Sequence, residues 1–92
     1  MEMKRVIVTV IGQDRVGIIA AVANALADNQ INILDISQTI LQEFFTMIMI
    51  VDISHSGLGI RELQDILTEL GKVLGMQIQA QHEDIFRYMH RI

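Results

Sequence analysis

The chain has 92 residues, a length that suits one domain with a single core. Apolar residues make up 51% of it, and seven basic against eleven acidic residues give a formal charge of −4 without any run of like charges, which argues against nucleic acid as a partner. Because it has no cysteine, no secretion signal and no apolar run near the ~18 residues that cross a bilayer, we expect a cytoplasmic protein without disulfides or membrane contact.

The first half of the chain predicts a strand, a helix and a second strand. Residues 5–11 are almost wholly β-branched, which is typical of a central strand with two apolar faces. Residues 15–29 repeat apolar side chains at helical spacing. Residues 31–41 alternate in polarity, which predicts a strand that buries one face, formed by Leu34, Ile36 and Ile40.

The second half repeats this order. Residues 44–53 are apolar on both faces and follow the polar pair Gln42 and Glu43, so they predict a hairpin with the preceding strand. Residues 60–74 carry a helical apolar stripe that Gly75 ends. Residues 76–81 alternate apolar residues with glutamines and predict an uncharged edge strand, and residues 84–92 predict a short helical tail.

The resulting β-α-β-β-α-β order predicts an α+β, ferredoxin-like fold. Right-handed crossovers close it into a four-stranded antiparallel sheet with both helices on one face and strands one and three inside. We expect a single domain over residues 1–92, with its core at 4–83 and the tail at 84–92. The helix-free sheet face carries apolar residues and requires a cover, either the tail or a partner subunit.

The turn between the first strand and the first helix looks built to hold a ligand. Gly12 and Gly17 let the backbone approach a ligand closely, and Asp14 is expected to cap the helix. The free N–H groups of the first helical turn point into this loop. The arrangement favours a small anion such as a carboxylate.

The Asp-Arg-Val-Gly-Ile-Ile-Ala segment at residues 14–20, followed by Asn32 and Ile33, resembles the ACT domain, a ferredoxin-like regulatory module that binds amino acids. Asp35, Gln38 and the Phe-Phe-Thr-Met run that begins at residue 44 extend the resemblance to the ACT modules of formyltetrahydrofolate deformylases and glycine-cleavage repressor-like proteins. Val16 stands where many members have proline. The chain is similar to small stand-alone, single-domain ACT proteins.

This resemblance implies a non-enzymatic homo-oligomer, a dimer or a tetramer, that binds a small amino acid or a related metabolite. The ligand would lie where the first loop of one subunit meets the second strand of another. N–H groups near residues 15–18 would bind its carboxylate, and Asp14 or Asn32 its ammonium group. The implied ligand-binding residues are Gly12, Gln13, Asp14, Arg15, Val16, Gly17, Ile18, Asn32 and Ile33.

Other interpretations of the same residues stay open. If Asp14 and the glycines serve only capping and packing, the chain is a pure interaction protein without a ligand. Acylphosphatases share the fold and size, and Arg15 and Asn32 would then anchor phosphate and position water, although Asp14 would repel the phosphate. We expect no cofactor, no catalytic residue and no metal site, because the three histidines, His55, His82 and His90, are scattered.

Overall fold

The computed structural model describes residues 4–84. Its strands form one antiparallel sheet in the order β2-β3-β1-β4, so strands one and three are central as predicted. The ferredoxin-like βαββαβ architecture is confirmed. The elements are β1 (Arg5–Gln13), α1 (Ile18–Asp28), β2 (Asn32–Leu41), β3 (Phe44–Asp52), α2 (Ile60–Leu74) and β4 (Met76–His82).

The core lies between one face of the sheet and the two helices. Alternate residues of β1 and β3 point to this face, since directly opposed residues of an antiparallel pair share a side. Ile18, Val22 and Leu26 of α1 and Leu63 and Leu67 of α2 pack into the same buried cluster, so both helices cover one face. The strands contribute Val6, Val8, Val10, Phe45, Met47, Met49, Val51, Met76, Ile78 and Ala80.

The other face of the sheet carries no helix among residues 4–84. Ile7 is buried there, whereas Ile11, Phe44 and Ile48 are exposed. This face therefore leaves large apolar side chains in contact with solvent. Residues 85–92, most of the predicted tail, lie outside the described residues. Neither described helix is long and apolar enough to cross a bilayer.

Two boundaries differ from the sequence-based expectation at the first turn. β1 continues to Gln13, so Gly12 is a strand residue opposite Phe45 and Met76. A Cβ at Gly12 would lie 2.6 Å from the sulfur of the flexible Met76 side chain and 3.3 Å from the Gly75 carbonyl oxygen, so a larger residue would require Met76 to move. The helix begins only at Ile18, because Gly17 takes a left-handed conformation with φ of 92°.

The predicted buried face of β2 is wrong for the single chain. The register places Ile36 opposite Met49 and Ile40 opposite Phe45, so both point to the helix side of the sheet. They nevertheless remain 41% and 52% exposed, because β2 is an edge strand with no element of residues 4–84 beyond it. Leu34 lies at a register shift in β2 and is exposed too.

Candidate functional site

The loop between β1 and α1 is fastened to the β2–β3 turn. The backbone N–H of Asp14 donates a 2.7 Å hydrogen bond to the carbonyl of Glu43. Three residues later Gly17 adopts its left-handed conformation and becomes the N-cap of α1. A β-carbon at Gly17 would meet no atom within 4 Å, so backbone conformation rather than crowding favours glycine here.

The amino-terminal end of α1 carries no side-chain cap among the described residues, so the prediction that Asp14 caps this helix is wrong. Gly17 takes the capping position instead, and its carbonyl accepts the first helical bond from the Ala21 N–H. The N–H groups of the first turn therefore have no partner within the helix, and no acidic residue lies in that turn. They form a site of partial positive charge.

A cavity of about 300 Å³ opens beside these N–H groups. One wall comes from the loop and the first turn of α1, and the other comes from the end of β2 and the start of β3. Four of the predicted ligand-binding residues, Asp14, Arg15, Gly17 and Ile18, line it. The prediction missed the other five, which are Ile19, Ala20, Gln38, Ile40 and Phe45.

The missed residues have a common signal in the sequence. A hairpin between strands two and three brings the end of β2 to the level of the end of β1, because both strands run antiparallel to β3. Gln38 and Ile40 share the helix side of β2. Combining the hairpin with the two-residue period would have placed both side chains next to the loop.

The remaining predicted residues lie outside this cavity. Gly12 packs inside the sheet, and Val16 is fully exposed. Gln13 lines a neighbouring cavity of about 320 Å³ with Asp14, Arg15, Leu74 and Gly75.

Asn32 and Ile33 are at the opposite end of the sheet from the loop. Asn32 opposes Asp52, which in turn opposes Arg5, the first residue of β1, while the loop follows Gln13. Arg5 and Gln13 are eight residue steps apart along β1, a distance of roughly 26 Å. Within one chain the loop and this pair therefore cannot share a ligand.

Arg15 points toward the end of α2. Its Nη1 donates a 2.7 Å hydrogen bond to the carbonyl oxygen of Leu74, the last residue of that helix. Within one chain Arg15 and Asn32 are therefore far apart, and the two groups that an acylphosphatase-like site would combine are not brought together. The acylphosphatase interpretation loses its geometric basis.

Comparison with known proteins identifies the family. The sequence profile of the ACT domain matches residues 4–81, almost all of the described chain. The chain belongs to the ACT domain family. A UPF0237 protein of Methanocaldococcus jannaschii is 56% identical to this ACT domain over 90 residues, which cover 98% of this chain and 100% of that protein.

Solved structures agree with this assignment. An ACT domain protein from Streptococcus pneumoniae superposes with a TM-score of 0.82 at 36% identity, and the match covers 92% of this chain and 96% of that one. A formyltetrahydrofolate deformylase from Pseudomonas syringae gives a TM-score of 0.81 at 20% identity, over 89% of this chain and 28% of that one, and so shares the fold. The predicted family resemblance is confirmed.

Asp52 of this ACT domain is a buried carboxylate that is hydrogen-bonded to two backbone N–H groups. Its Oδ1 accepts hydrogen bonds from the backbone N–H groups of Ser54, at 3.0 Å, and Lys4, at 3.3 Å. These bonds, with Ser54 contributing most, hold the pKa of Asp52 below its usual value. Asp52 therefore joins the start of β1 to the end of β3, away from the loop.

Within residues 4–84 of this ACT domain, no three histidine, aspartate or glutamate side chains are placed to hold a metal ion. His55 lies exposed in the turn before α2, while His82 ends β4. His90 lies outside the described residues. The residues that line the loop cavity offer backbone N–H groups, the polar side chains of Asp14, Arg15 and Gln38, and apolar side chains.

Proposed function

We propose that this ACT domain is a non-enzymatic regulatory protein that binds a small amino acid or a related metabolite at the interface of a homo-oligomer. We assign residues 1–92 to one domain and the protein to the cytoplasm. One observation carries the proposal: the uncapped end of α1 opens into a cavity whose far wall is the exposed apolar flank of β2. A ligand and a partner subunit would meet at the same place.

The exposed flank of β2 supports an interface between two copies of the chain. Ile19, Ile36 and Ile40 are all more than a third exposed on the helix side of the sheet. β2 is also an edge strand, whose outer N–H and C=O groups are available to another strand. Antiparallel pairing of two β2 strands would satisfy those groups and bury the isoleucines of both subunits.

Such pairing would bring the separated halves of the predicted site together. A two-fold axis through Ser37, with the bulge residue Leu34 left unpaired, keeps opposed residues on the same face of the sheet. It places the partner subunit's Asn32 opposite Leu41 and the partner subunit's Ile33 opposite Ile40. Ile40 lines the loop cavity. Asn32 lies roughly 26 Å from the loop of its own subunit, but in this pairing it lies close to the loop of the other subunit.

The proposed ligand is a zwitterion with an apolar part. Its carboxylate would accept hydrogen bonds from the N–H groups of the first turn of α1, and its ammonium group would face Asp14. A helix terminus contributes only about 0.3 to 1 kcal/mol, whereas micromolar binding requires about 8 kcal/mol. The apolar surface of Ile19, Ile40 and Phe45 must therefore contribute through burial of the ligand's side chain.

A thermal-shift screen of the purified protein against the twenty common amino acids tests this proposal. We expect at least one amino acid to raise the melting temperature, and Gly17→Val to abolish that rise, because φ of 92° is strained for a β-branched residue. Gly57→Val is the matched control, since Gly57 also has positive φ, 75°, and open space around its Cβ position. It should lose stability but keep the ligand response.

A second pair of variants tests the ammonium contact. Asp14→Asn removes the loop carboxylate and should weaken the response, while Asp28→Asn removes an exposed carboxylate at the other end of α1 and should leave it unchanged. A response that survives Gly17→Val and Asp14→Asn in full would contradict the placement of the ligand in the loop cavity.

A pure interaction protein is the second candidate, because the exposed flank of β2 would favour assembly without any ligand. It predicts a stable oligomer and a flat thermal-shift screen. Under that outcome the loop residues serve only to connect β1 with α1.

A further inference from the structure

The bond between Arg15 and Leu74 joins the candidate ligand loop to a distant part of the chain. Residues 59 positions apart meet at 2.7 Å. The Leu74 carbonyl lies in the last turn of α2, where carbonyl groups lack helical partners and the helix dipole is negative. The guanidinium group of Arg15 suits this helix end, because it donates a hydrogen bond to the free carbonyl and its positive charge faces the negative end of the dipole.

The end of β1, just before the loop, touches the same junction. Gly12 packs against Met76, and a Cβ at Gly12 would also lie 3.3 Å from the Gly75 carbonyl oxygen. Gly75 itself ends α2 with a left-handed φ of 70°. The chain before the loop and the first residues within it thus both rest on the turn between α2 and β4.

We propose that Arg15 is a positioning residue that holds the β1–α1 loop in its ligand-binding conformation and does not contact the ligand. Arg15 lines both cavities, but its guanidinium binds Leu74, which lines the 320 Å³ cavity and not the 300 Å³ cavity beside the first turn of α1. A loop already fastened on both sides loses less conformational freedom when it binds a ligand. The effect on affinity rests on the proposed function, whereas the fastening of the loop does not.

The first test needs no ligand. In Arg15→Gln we expect the Asp14 amide, which bonds to Glu43 in the same loop, to exchange its hydrogen about tenfold faster, the range for loss of a charge-assisted hydrogen bond. Lys72→Gln is the matched control, since it removes a cation at the same helix end that pairs with Glu69 across the exposed surface. Unchanged exchange in Arg15→Gln would overturn the proposal.

The second test separates positioning from contact. The twenty amino acids and their amides serve as probes, and the ratio of acid to amide affinity is measured in the wild type and in Arg15→Gln. Positioning predicts that both affinities fall by the same factor, so the ratio stays within about twofold. A ratio that collapses to one would show that Arg15 binds the carboxylate. If no probe binds the wild type, the proposed function fails, while the exchange measurement still decides the role of Arg15.

Discussion

The two edges of the sheet differ in how completely the chain itself covers them. On β4, Met76, Ile78 and Ala80 are all buried beneath the helical layer, with α2 directly against the strand at Gly71. On β2, every residue is exposed except Ile33, which is half-buried. The helices of the chain therefore cover the β4 edge of the sheet and leave the β2 edge exposed to solvent.

The polar groups of the edges follow the same division. The Gln64 side-chain amide donates a 2.8 Å hydrogen bond to the Ala80 carbonyl, so α2 covers β4 and also occupies one of its backbone acceptors. β2 has no equivalent neighbour among residues 4–84. β4 is covered by the chain itself, whereas β2 is open to solvent and contributes Gln38 and Ile40 to the candidate loop cavity.

Truncation of one apolar residue on each edge should change the free energy of unfolding strongly on β4 and little on β2. Ile78→Ala removes a buried side chain of β4 and should lower the free energy of unfolding by about 3 kcal/mol. Ile40→Ala removes a half-exposed one of β2 and should change it by about 0.5 kcal/mol or less at concentrations where the protein is monomeric. Urea denaturation measures both. An equal loss of unfolding free energy in the two variants would contradict the proposed difference between the edges.

A glycine substitution tests how closely α2 lies on β4. A Cβ at Gly71 would be 2.5 Å from the Met76 carbonyl oxygen, a backbone atom that cannot rotate away. Gly71→Ala should therefore destabilise the protein by about 2 kcal/mol in urea denaturation. In Gly59→Ala the new Cβ would make an ordinary 3.7 Å contact with Glu62, and this control should cost much less. A harmless Gly71→Ala would mean that β4 is less firmly covered than described.

Charge on the open edge should prevent assembly without unfolding the chain. Ile36→Lys places an ammonium group on the exposed flank of β2, next to its own copy in the proposed dimer, and should weaken self-association at least tenfold. Gln79→Lys adds the same charge to an exposed position of β4 and is expected to leave association unchanged. Sedimentation velocity distinguishes them. If Gln79→Lys alone dissociates the protein, the edges have been assigned the wrong roles.

The smallest effect concerns acid stability and should affect both edges alike, because Asp52 joins the two central strands. The hydrogen bonds from Ser54 and Lys4 lower the pKa of Asp52 in the folded protein. The ionised carboxylate therefore contributes to the free energy of unfolding above the ordinary pKa of 3.8, and this contribution is lost as the pH falls through the lower folded value. Asp52→Asn should reduce the loss of stability in this acid range. Thermal melts between pH 2 and pH 6 measure it, and an unchanged acid profile would contradict the role of Asp52.

Local patterns in the sequence predicted the topology because each element carries its own period. The apolar stripe of α2 and Gly75 gave both ends of that helix as the structure has them. The alternation of Met76, Ile78 and Ala80 correctly predicted a one-sided edge strand. Such periodic patterns arise from residues close in sequence, so the secondary structure that they predict can be read without knowing the tertiary contacts.

The candidate site was harder to predict because its geometry depends on distant residues. A two-residue period showed which side of β2 is apolar, but it carries no information on whether another element covers that side. Arg15 looked like an anion-binding residue, since nothing nearby in the sequence reveals Leu74 as its partner. Gly12 looked like a loop residue, because its contact with Met76 spans most of the chain.

Amide hydrogen exchange of the wild-type protein shows directly whether two β2 strands pair. Alternate amides of β2 and β4 point away from the sheet, and their exchange is compared at concentrations where the protein is assembled. Pairing of two β2 strands predicts that the outward amides of β2 are protected and that this protection disappears on dilution, while β4 shows no such dependence. Outward amides of β2 that exchange freely in the assembled protein would contradict the pairing of β2 strands.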